Sequence, residues 1–407
     1  MRKIDPAQFH VATRGTSRDI NRRIALTLVR ARQPISRADL ARAMGVRRSA
    51  VSLIVTELLK KGLIIEGATG ETLRGRKPTF LYIDARRRTV VAVDIRASQT
   101  FVMPADLLGQ PLGGVTHFPT LRDPKALVPA LAERIKRLLA EHGGAAACEG
   151  IGVVVPGMVE HMTMRILHAP TLGWRNVDLL EPLSSATDLP VQIENSGRAC
   201  ALAQLWARHA EPGIEAGDLV FVSISDGVGV GVIVRGELVR GRHNIAGEFA
   251  HVPLSLDGPR CSCGATGCWE AYVSNRATLT RYFGRAADLS GPVPADQLDF
   301  TIEDLIARAR AGDAKAAAAL QTTGRYLGLG LASLVNALDP GCVYIGGEIT
   351  AAWDVIGTTV RAALRERALT PGAAAADIRL ASAQQYPRLQ GAAALVVAPA
   401  FAAPVVA

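Results

Sequence analysis

Hydrophobic residues near the start of the chain recur at helical spacing, with polar and basic residues between them. Ile20, Ile24 and Leu28 would share one face of a helix over residues 18–34, which Pro34 would end.

Two further helices are predicted directly after the first. Ser36 stands three residues before Asp39, which is the spacing of a helix cap with a reciprocal partner, and Gly45 would end that second helix. A third helix is expected over about residues 46–61. Its apolar face would be formed by Val51, Ile54, Val55, Leu58 and Leu59.

A hairpin follows the third predicted helix. Short apolar runs at 63–65 and 79–83 indicate two strands, and a polar, glycine-rich and basic loop lies between them at 70–78. Short helices with a tight turn, followed by a hairpin, are typical of a winged helix-turn-helix. We therefore predict an N-terminal winged helix-turn-helix domain over residues 1–83.

From Thr89 onward, strands and helices alternate instead. Apolar runs typical of buried strands stand at 90–95, 151–155, 191–194, 218–225 and 343–345. Helical patterns stand at 124–142 and 196–209. Strand, glycine turn and helix recur in two halves, which predicts an α/β body of two lobes with a cleft between them. This body is assigned to residues 89–407, after a linker at 84–88.

Charged residues are distributed unevenly along the chain. The chain has 407 residues, a length that suits two or three domains. Hydrophobic residues make up 49% of the chain and charged residues 20%, which excludes global disorder. Residues 1–88 hold 20 Lys and Arg against 7 Asp and Glu, whereas residues 89–407 hold 26 against 30. A head of net charge +13 on a body of −4 indicates a nucleic-acid-binding module joined to a second function.

The third predicted helix and the basic loop behind it are the candidates for DNA contact. A helix fits the major groove, and its first turn would direct Arg47, Arg48, Ser49 and Ser52 toward base edges and phosphates. Three basic side chains of the loop would reach a phosphate ridge or a minor groove: Arg74, Arg76 and Lys77. The alternative is that these residues only form a solvated face. Arg47 occupies the position where a capping Ser or Thr is favoured, so this helix start is weakly encoded.

The two ends of the chain lead us to expect a cytoplasmic protein. Residues 1–16 lack the apolar segment and the cleavage site of a secretory signal. The last 19 residues carry no charge and are mostly alanine and valine. Their hydrophobicity is weak for a membrane span, so we expect a packed final helix with a loose tail.

Three of the six cysteines, Cys261, Cys263 and Cys268, fall within eight residues of one another, and His251 stands ten residues before the first. This clustering indicates metal ligands in a reduced compartment rather than a disulfide framework. Zinc prefers four tetrahedral nitrogen or sulfur ligands, and three cysteines with one histidine form a closed set without a position for water. We predict a structural zinc ion here. The alternative is three buried cysteines that bind nothing.

Two segments of the body carry a family resemblance. Residues 246–251 read Ala-Gly-Glu-Phe-Ala-His, and residues 261–270 read Cys-Ser-Cys-Gly-Ala-Thr-Gly-Cys-Trp-Glu. This combination resembles the ROK family of repressors, open reading frames and sugar kinases. A winged helix ahead of the body is similar to the repressor branch, which includes repressors responsive to xylose and to N-acetylglucosamine derivatives. The resemblance implies an actin-like, ribonuclease H-like ATPase fold for the two lobes.

The same resemblance implies a set of site residues. His251 and the three clustered cysteines would hold zinc, and the sugar pocket would be lined by Asn195, Glu248, His251, Glu270 and the Gly157 loop. Carboxylates and amides suit a sugar because they pair with adjacent hydroxyl groups, and a zinc-fixed loop would aim two of them. The alternative for the glutamates is that they are surface charges.

The residues that phosphoryl transfer requires are replaced. Kinases of this family carry an aspartate as general base where this chain has Ser196, and a serine hydroxyl is no base near neutral pH without an activator. Their glycine-rich phosphate turn reads here as Asp94-Ile95-Arg96-Ala97-Ser98, with side chains where bare backbone must approach phosphate. Gly227, Gly229 and Gly231 remain, but they also suit a tight turn. We therefore expect no catalytic residues.

These observations predict a sugar-responsive DNA-binding repressor that is a catalytically inactive relative of the ROK kinases. A homodimer or homotetramer would present winged helices to an inverted repeat in operator DNA, and sugar binding would change the spacing or mobility of the heads. One alternative is a ROK-type sugar kinase that carries a DNA-binding head. Another is a regulator that has lost its sugar response or that answers a phosphosugar or a partner protein.

Overall fold

The computed structural model of this chain describes residues 14–69, 79–208, 217–286, 288–294, 297–381 and 386–401. Within these residues the chain forms a small N-terminal head and a body built on two five-stranded sheets. Three basic side chains predicted for the loop at 70–78, which we call the wing, lie outside the described residues: Arg74, Arg76 and Lys77.

The head contains three helices and a three-stranded antiparallel sheet of order β1-β3-β2. Its elements are α1 (Arg14–Arg32), β1 (Ile35–Ser36), α2 (Arg37–Met44), α3 (Arg48–Lys60), β2 (Ile64–Thr69) and β3 (Thr79–Ile83). Side chains of all three helices and of the sheet share one buried core. This arrangement is the predicted winged helix-turn-helix.

The ends of the head helices agree with the capping pattern in the sequence. The Ser36 hydroxyl oxygen accepts the Asp39 backbone N–H at 3.1 Å, and Gly45 ends α2 with a left-handed φ of 65°. Helix α3 begins at Arg48, two residues later than predicted. Its N-cap is Arg47, which makes no side-chain capping bond, as the weak start signal indicated.

Residues 84–88, expected as a linker, hold the head close to the body. Residues Ala85–Arg87 form one turn of 3₁₀ helix. The Arg88 guanidinium pairs with Glu149 on the first sheet and donates a hydrogen bond to the Lys61 carbonyl at 3.0 Å, directly after α3. This segment therefore connects the end of α3 and the first lobe through side-chain contacts as well as through the backbone.

The first lobe is built on a mixed sheet of order β11-β7-β4-β5-β6, in which β4, β7 and β11 are parallel. Its strands are β4 (Thr89–Ile95), β5 (Gln99–Ala105), β6 (Thr116–Pro119), β7 (Cys148–Val155) and β11 (Val191–Asn195). A small sheet beside it contains β8 (Met158–Val159), β9 (Ile166–Ala169) and β10 (Trp174–Val177). The helices of this lobe are α4 (Pro124–Glu141), α5 (Leu180–Thr187), α6 (Ser196–Arg208) and α13 (Pro387–Phe401).

The second lobe is built on a sheet of order β14-β13-β12-β15-β16. Its strands are β12 (Leu219–Ile224), β13 (Val228–Val234), β14 (Glu237–Leu238), β15 (Cys342–Gly346) and β16 (Ile378–Leu380). Its helices are α7 (Glu270–Val273), α8 (Asn275–Tyr282), α9 (Ile302–Arg310), α10 (Ala314–Leu338), α11 (Trp353–Arg367) and α12 (Pro371–Ala374). The predicted strands at 218–225 and 343–345 are the central strands β12 and β15.

The final helix α13 returns to the first lobe and packs on β4 and β7, as expected for a packed terminal helix. Phe401 at its end is buried in the core of the head. Across the described ranges, no helix combines the length and the apolar character that a bilayer crossing requires.

Helix α6 lies between the two lobes, because it packs on β12 and β13 of the second lobe and on α13 of the first. The contact with β13 is made by bare backbone. A side chain on Gly197 would place its Cβ 2.8 Å from the Gly229 carbonyl carbon, and one on Gly231 would place it 2.5 Å from the Gly197 oxygen. Gly229 and Gly231 therefore allow the helix to approach the strand, which is a different use from cradling phosphate.

We expect Gly231→Ala to destabilise the protein, because the new methyl group would meet the backbone oxygen of Gly197 and the side chain of Ala201. Overpacking of this kind costs about 1–3 kcal/mol, which urea unfolding followed by circular dichroism would detect. Gly114→Ala is the matched control, since a Cβ there meets open space. Equal unfolding midpoints for the two variants would contradict close packing of α6.

Candidate functional site

The four predicted metal ligands lie together at the edge of the second lobe. One ligand atom from each of His251, Cys261, Cys263 and Cys268 lies within 4.8 Å of every other. His251 Nδ1 is 3.6 Å from the Cys261 sulfur, and the sulfurs of Cys263 and Cys268 are 3.7 Å apart. Atoms bound tetrahedrally to zinc are separated by roughly 3.3–3.8 Å, so these two separations agree with a zinc site.

Glycines allow the cysteine segment to turn back on itself. Gly264 and Gly267 have φ angles of 97° and 72°, in the left-handed region that disfavours side chains. A Cβ on Gly267 would lie 1.6 Å from the Ser255 oxygen, so a larger residue would break this approach. The tight loop brings Cys261 and Cys268 beside each other while both stay buried.

The buried cysteines of this set are costly to ionise without a cation. Burial raises the pKa of the Cys268 thiol to about 11, and burial together with the nearby Glu270 carboxylate raises the pKa of Cys261 as well. A divalent cation at this point would favour the thiolate forms and offset the repulsion between neighbouring sulfurs. The chemistry of the donors therefore agrees with their spacing.

The two predicted glutamates lie beside this cluster. Glu270 is buried, and its Oε1 accepts the Ser262 hydroxyl at 2.6 Å while its Oε2 accepts the Val228 backbone N–H at 2.9 Å. Glu248 Oε2 lies 3.9 Å from His251 Nε2. Burial raises the pKa of Glu248, whose carboxylate is half-buried near the histidine. His251 thus turns Nδ1 to the cysteines and Nε2 to Glu248.

Asn195 and Gly157 meet at the ends of two neighbouring parallel strands. The Asn195 side-chain amide donates to the Gly157 carbonyl at 2.7 Å, and its oxygen accepts the backbone N–H groups of Gly197 and Arg198 at 2.9 and 3.1 Å. Asn195 therefore caps the first turn of α6. Gly157 has a φ of 107°, and a Cβ there would lie 2.2 Å from the His168 oxygen.

A buried arginine that the sequence analysis missed joins these two groups. Arg198 donates to the carbonyls of Asn244 and Ala246 at 2.6 and 3.1 Å, just ahead of Glu248. Its charge faces the buried Glu194, 3.6 Å away, which also pairs with Arg240. The available signal was Glu194 and Arg198 at i and i+4 across the start of a helix.

A cavity of about 410 Å³ adjoins the predicted sugar residues without containing them. It lies between the small sheet of the first lobe and the cysteine loop. Its lining includes His168, Trp174, Arg175, Ser262 and Cys263. The volume is in the range of small-molecule pockets, and Ser262 connects it to Glu270.

The turn that would hold nucleotide phosphates carries an ion pair instead. Arg96 Nε donates to Asp94 Oδ2 at 2.7 Å, and its guanidinium lies 4.4 Å from the ring centre of Phe101. Asp94 is fully buried, and Ser196, at the position of the kinase base, is buried at the start of α6. An arginine side chain thus folds over the carboxylate at this turn.

The outer face of α3 carries the predicted DNA-contacting residues. Arg47, Arg48 and Ser49 are exposed and Ser52 is partly exposed. The sequence analysis missed Leu53, which is 72% exposed on this face. Leu53 is absent from the apolar face predicted for this helix, and a leucine outside that face beside serines and arginines was the available signal.

Comparison with known proteins identifies the two parts of the chain. A family model described as the ROK family matches residues 112–398, and one described as the MarR family matches residues 24–65. The chain belongs to the ROK family. The match in the head agrees with the winged helix-turn-helix of the structure, so both parts of the predicted fold are confirmed.

Relatives of this ROK protein include repressors and kinases. It is 28% identical to the xylose repressor of Bacillus subtilis over 358 residues, which cover 88% of this chain and 89% of that protein. It is 27% identical to the DNA-binding transcriptional dual regulator NagC of Escherichia coli, over 83% of this chain and 82% of NagC. A glucokinase of Halalkalibacterium halodurans is 31% identical over 61% of this chain and 76% of that protein.

Solved structures follow the same division. A ROK family transcriptional regulator, a homologue of the Escherichia coli MLC protein, matches with a TM-score of 0.78 and 26% identity and covers 95% of this chain and 98% of its own. A ROK family glucokinase from Streptomyces griseus, in complex with glucose and AMPPNP, has a TM-score of 0.62 and 25% identity, over 75% of this chain and 98% of its own. The regulator therefore matches 95% of this chain and the glucokinase 75%, a difference that agrees with a match to the head in the regulator alone.

Proposed function

We propose that this protein is a sugar-responsive transcriptional repressor that binds operator DNA through α3 and the wing, and that it has no sugar kinase activity. The observation that carries this proposal is the Arg96–Asp94 ion pair, which occupies the phosphate turn of a body that has Glu248 and Glu270 at the positions expected for sugar binding. Buried Ser196 gives a second, independent reason to expect no phosphoryl transfer.

The head supports the DNA-binding part of the proposal. The domain has a strongly positive net charge. Its helix α3 leaves five side chains at least partly exposed to a partner: Arg47, Arg48, Ser49, Ser52 and Leu53. Arginines suit phosphates and guanine edges, and serine hydroxyls bond to either. Leu53 suits the 5-methyl group of thymine, since an apolar side chain distinguishes this base through the methyl group. Arg74, Arg76 and Lys77 of the wing would add phosphate or minor-groove contacts.

The sugar site would be formed by Asn195, Glu248, His251 and Glu270 with the Gly157 loop. One side of this site would offer the carboxylates of Glu248 and Glu270 and the imidazole of His251, and the other side would offer the amide of Asn195. These groups can form hydrogen bonds with neighbouring hydroxyl groups of one sugar ring. The two sides belong to different lobes, so a sugar held by both would favour a closed cleft. The Arg198 contacts with residues 244 and 246 support this arrangement, because they join the two sides behind the pocket.

The cysteine cluster would hold a structural zinc ion through His251, Cys261, Cys263 and Cys268. When bound, the ion would supply a fixed crosslink of the loop and no chemistry of its own. The loop residues then keep Ser262 against Glu270, and His251 keeps Nε2 directed at Glu248. Zinc would in this way orient the sugar-binding face without touching the sugar.

A cytoplasmic homodimer or homotetramer would present two heads to an inverted repeat, because a two-fold protein matches a two-fold operator. The kinase alternative is favoured by the retained Asp94 and by the identity to glucokinases. It requires another group to replace Ser196 as base and another conformation for Arg96.

Glu248→Gln should abolish the sugar response while operator binding survives, because the amide loses the negative acceptor for sugar hydroxyls but leaves the head unchanged. Operator duplex would be selected from a random library and the effector would be found by thermal shift over a sugar panel. Fluorescence anisotropy then measures operator affinity with and without that sugar. The control is Glu237→Gln, at an exposed glutamate of the same lobe.

The same panel separates the repressor from the kinase alternative. Coupled assays of ADP release over hexoses, pentoses and amino sugars should stay at background. Robust ATP turnover with any of these sugars would refute the proposed function. Failure to bind any duplex at low salt would refute it equally, since phosphate contacts are strongest there.

Zinc should be present at about one ion per chain in protein purified without added metal, and Cys268→Ser should lose it, because a hydroxyl is a poor substitute for a buried thiolate. Elemental analysis measures the content, and thermal denaturation should show a lower midpoint for the variant. Cys148→Ser is the control, since Cys148 lies outside the cluster on β7. Equal zinc content in both variants would contradict this ligand set.

Leu53→Ala should weaken operator binding at one thymine position only. Replacing that thymine by deoxyuridine removes the methyl group. The affinity of the wild-type protein should then fall to that of the variant, whereas the affinity of the variant should be the same for both duplexes. Anisotropy titrations of the four combinations measure the coupling. Leu369→Ala, at a leucine of the body that is 81% exposed, should change nothing. Additive losses would mean that Leu53 does not contact a thymine methyl group.

A further inference from the structure

Helix α6 begins at the proposed sugar site and ends beneath the DNA-binding head. At its start, Asn195 accepts the N–H groups of its first turn and donates to Gly157. At its end, Trp206 touches the head. Thirteen residues of helix cover about 20 Å, so one rigid element spans the distance between the two functional parts.

The first turn of α6 is attached to both walls of the sugar site. Asn195 holds it to the Gly157 loop of the first lobe, and Arg198 holds it to the carbonyls of residues 244 and 246 in the second lobe. Arg198 is 2% exposed and faces Glu194 at 3.6 Å, so its position is restricted by packing and by charge. A ligand that draws the two walls together therefore acts directly on the start of α6.

Helix α13 runs beside α6 and makes a second connection of the same kind. Near its start, Arg388 donates to the Ser225 hydroxyl at 3.1 Å, and Ser225 donates to Glu348 of the second lobe at 2.6 Å. Along its length, a Cβ on Gly391 would lie 2.2 Å from the Ala199 oxygen of α6. Backbone contact this close prevents the two helices from sliding independently. We refer to α6 and α13 as the connecting helix pair.

The ends of the connecting helix pair form an aromatic platform under α1 of the head. The rings of Trp206 and Phe401 are 5.2 Å apart and edge to face. The Arg30 guanidinium lies 3.3 Å from the Trp206 ring centre, and Arg30 donates to the Trp206 carbonyl at 2.5 Å. The Thr27 hydroxyl donates to the Phe401 carbonyl. Arg30 of the head thus contacts Trp206 of α6, and Thr27 of the head contacts Phe401 of α13.

Arg30 is committed to this joint. It is 5% exposed, and its burial lowers the pKa of its guanidinium to about 10. A cation buried to this degree is stabilised by the ring face and by the carbonyl it bonds, so it resists displacement unless the platform itself moves. The joint therefore favours one seating of the head for each position of the helix pair.

We propose that the connecting helix pair transmits sugar occupancy to the head, and that Arg30 on Trp206 is the joint through which it acts. This inference rests on the proposed function and specifies its regulation. Closure of the sugar site shifts the first turn of α6, the platform of Trp206 and Phe401 moves with it, and the heads lose the spacing that two half-sites require. Coupling between the sites is then reciprocal, so operator binding also weakens sugar binding.

The test measures operator affinity of the full-length protein with and without saturating sugar, using the selected duplex and the sugar found by thermal shift. Wild type should show a change in the range of about 5- to 150-fold, as is usual for coupled sites. Arg30→Met keeps a long apolar side chain but removes the cation and the hydrogen bond. In this variant, the change in operator affinity caused by the sugar should fall below about twofold. Its affinity for the sugar and its operator affinity without sugar should stay near wild type.

Arg32→Met is the matched control, at an exposed arginine of the same helix, and it should keep the full response. Trp206→Phe is a second variant that keeps a ring but loses the indole hydrogen bond to the Leu108 carbonyl at 2.9 Å. It should show an intermediate response. A full wild-type response in both Arg30→Met and Trp206→Phe would overturn the proposal.

Hydrogen exchange separates failure of this proposal from failure of the proposed function, because it needs neither sugar nor DNA. In Arg30→Met, exchange in residues 17–32 should become faster, while β12 and β13 of the second lobe should exchange as in wild type. Unchanged exchange in α1 would show that Arg30 does not hold the head, even if wild type responds to sugar. A wild type that ignores every sugar, with faster exchange in the variant, would instead overturn the proposed function.

Discussion

Close packing of α6 against β13 is the contact on which the rest of the body depends. Gly197 and Gly229 bring the backbones of helix and strand together, and Gly231 leaves room for the next turn. Because this contact has no side-chain layer to deform, we expect α6 and β13 to move together. The same helix carries the cap residue Asn195 at one end and Trp206 at the other, so this packing sets the position of both.

The cysteine loop serves the site from the outside. It places Cys261 and Cys268 in a buried position where their thiols are poorly solvated, and it brings Ser262 against Glu270. A bound cation would relieve the cost of this burial and hold His251 by one ring nitrogen. The other nitrogen then faces Glu248. The proposed metal ligands and the proposed sugar-binding carboxylates therefore belong to one cluster of side chains.

The phosphate turn explains how a fold shared with kinases can carry a regulator. Arg96 supplies a positive charge to Asp94 from within the chain, and Arg388 reaches the Ser225 turn of the opposite lobe. Both side chains belong to the region where the lobes face each other. Arg388 thus provides a side-chain contact between the lobes beside a phosphate turn that carries its own positive charge.

Much of this organisation was determined by the sequence alone. The spacing of apolar residues predicted the helices of the head, Ser36 and Asp39 predicted a cap, and the cysteine cluster and the replaced phosphate turn were readable as short motifs. These features are local, because they depend on residues within one or two turns of each other. The exposure of Leu53 could also have been inferred from the same periodicity.

Only the tertiary structure decided how these parts meet. Arg30 and Trp206 are 176 positions apart, and Arg198 reaches carbonyls 46 and 48 positions away. No periodic pattern encodes such pairs, since each depends on how two separately folded elements are placed. The glycines of β13 were open to a second interpretation as a phosphate turn for the same reason. A glycine in the sequence indicates that another group approaches the backbone closely. Only the packed structure shows that, at Gly229 and Gly231, this group is the backbone of α6.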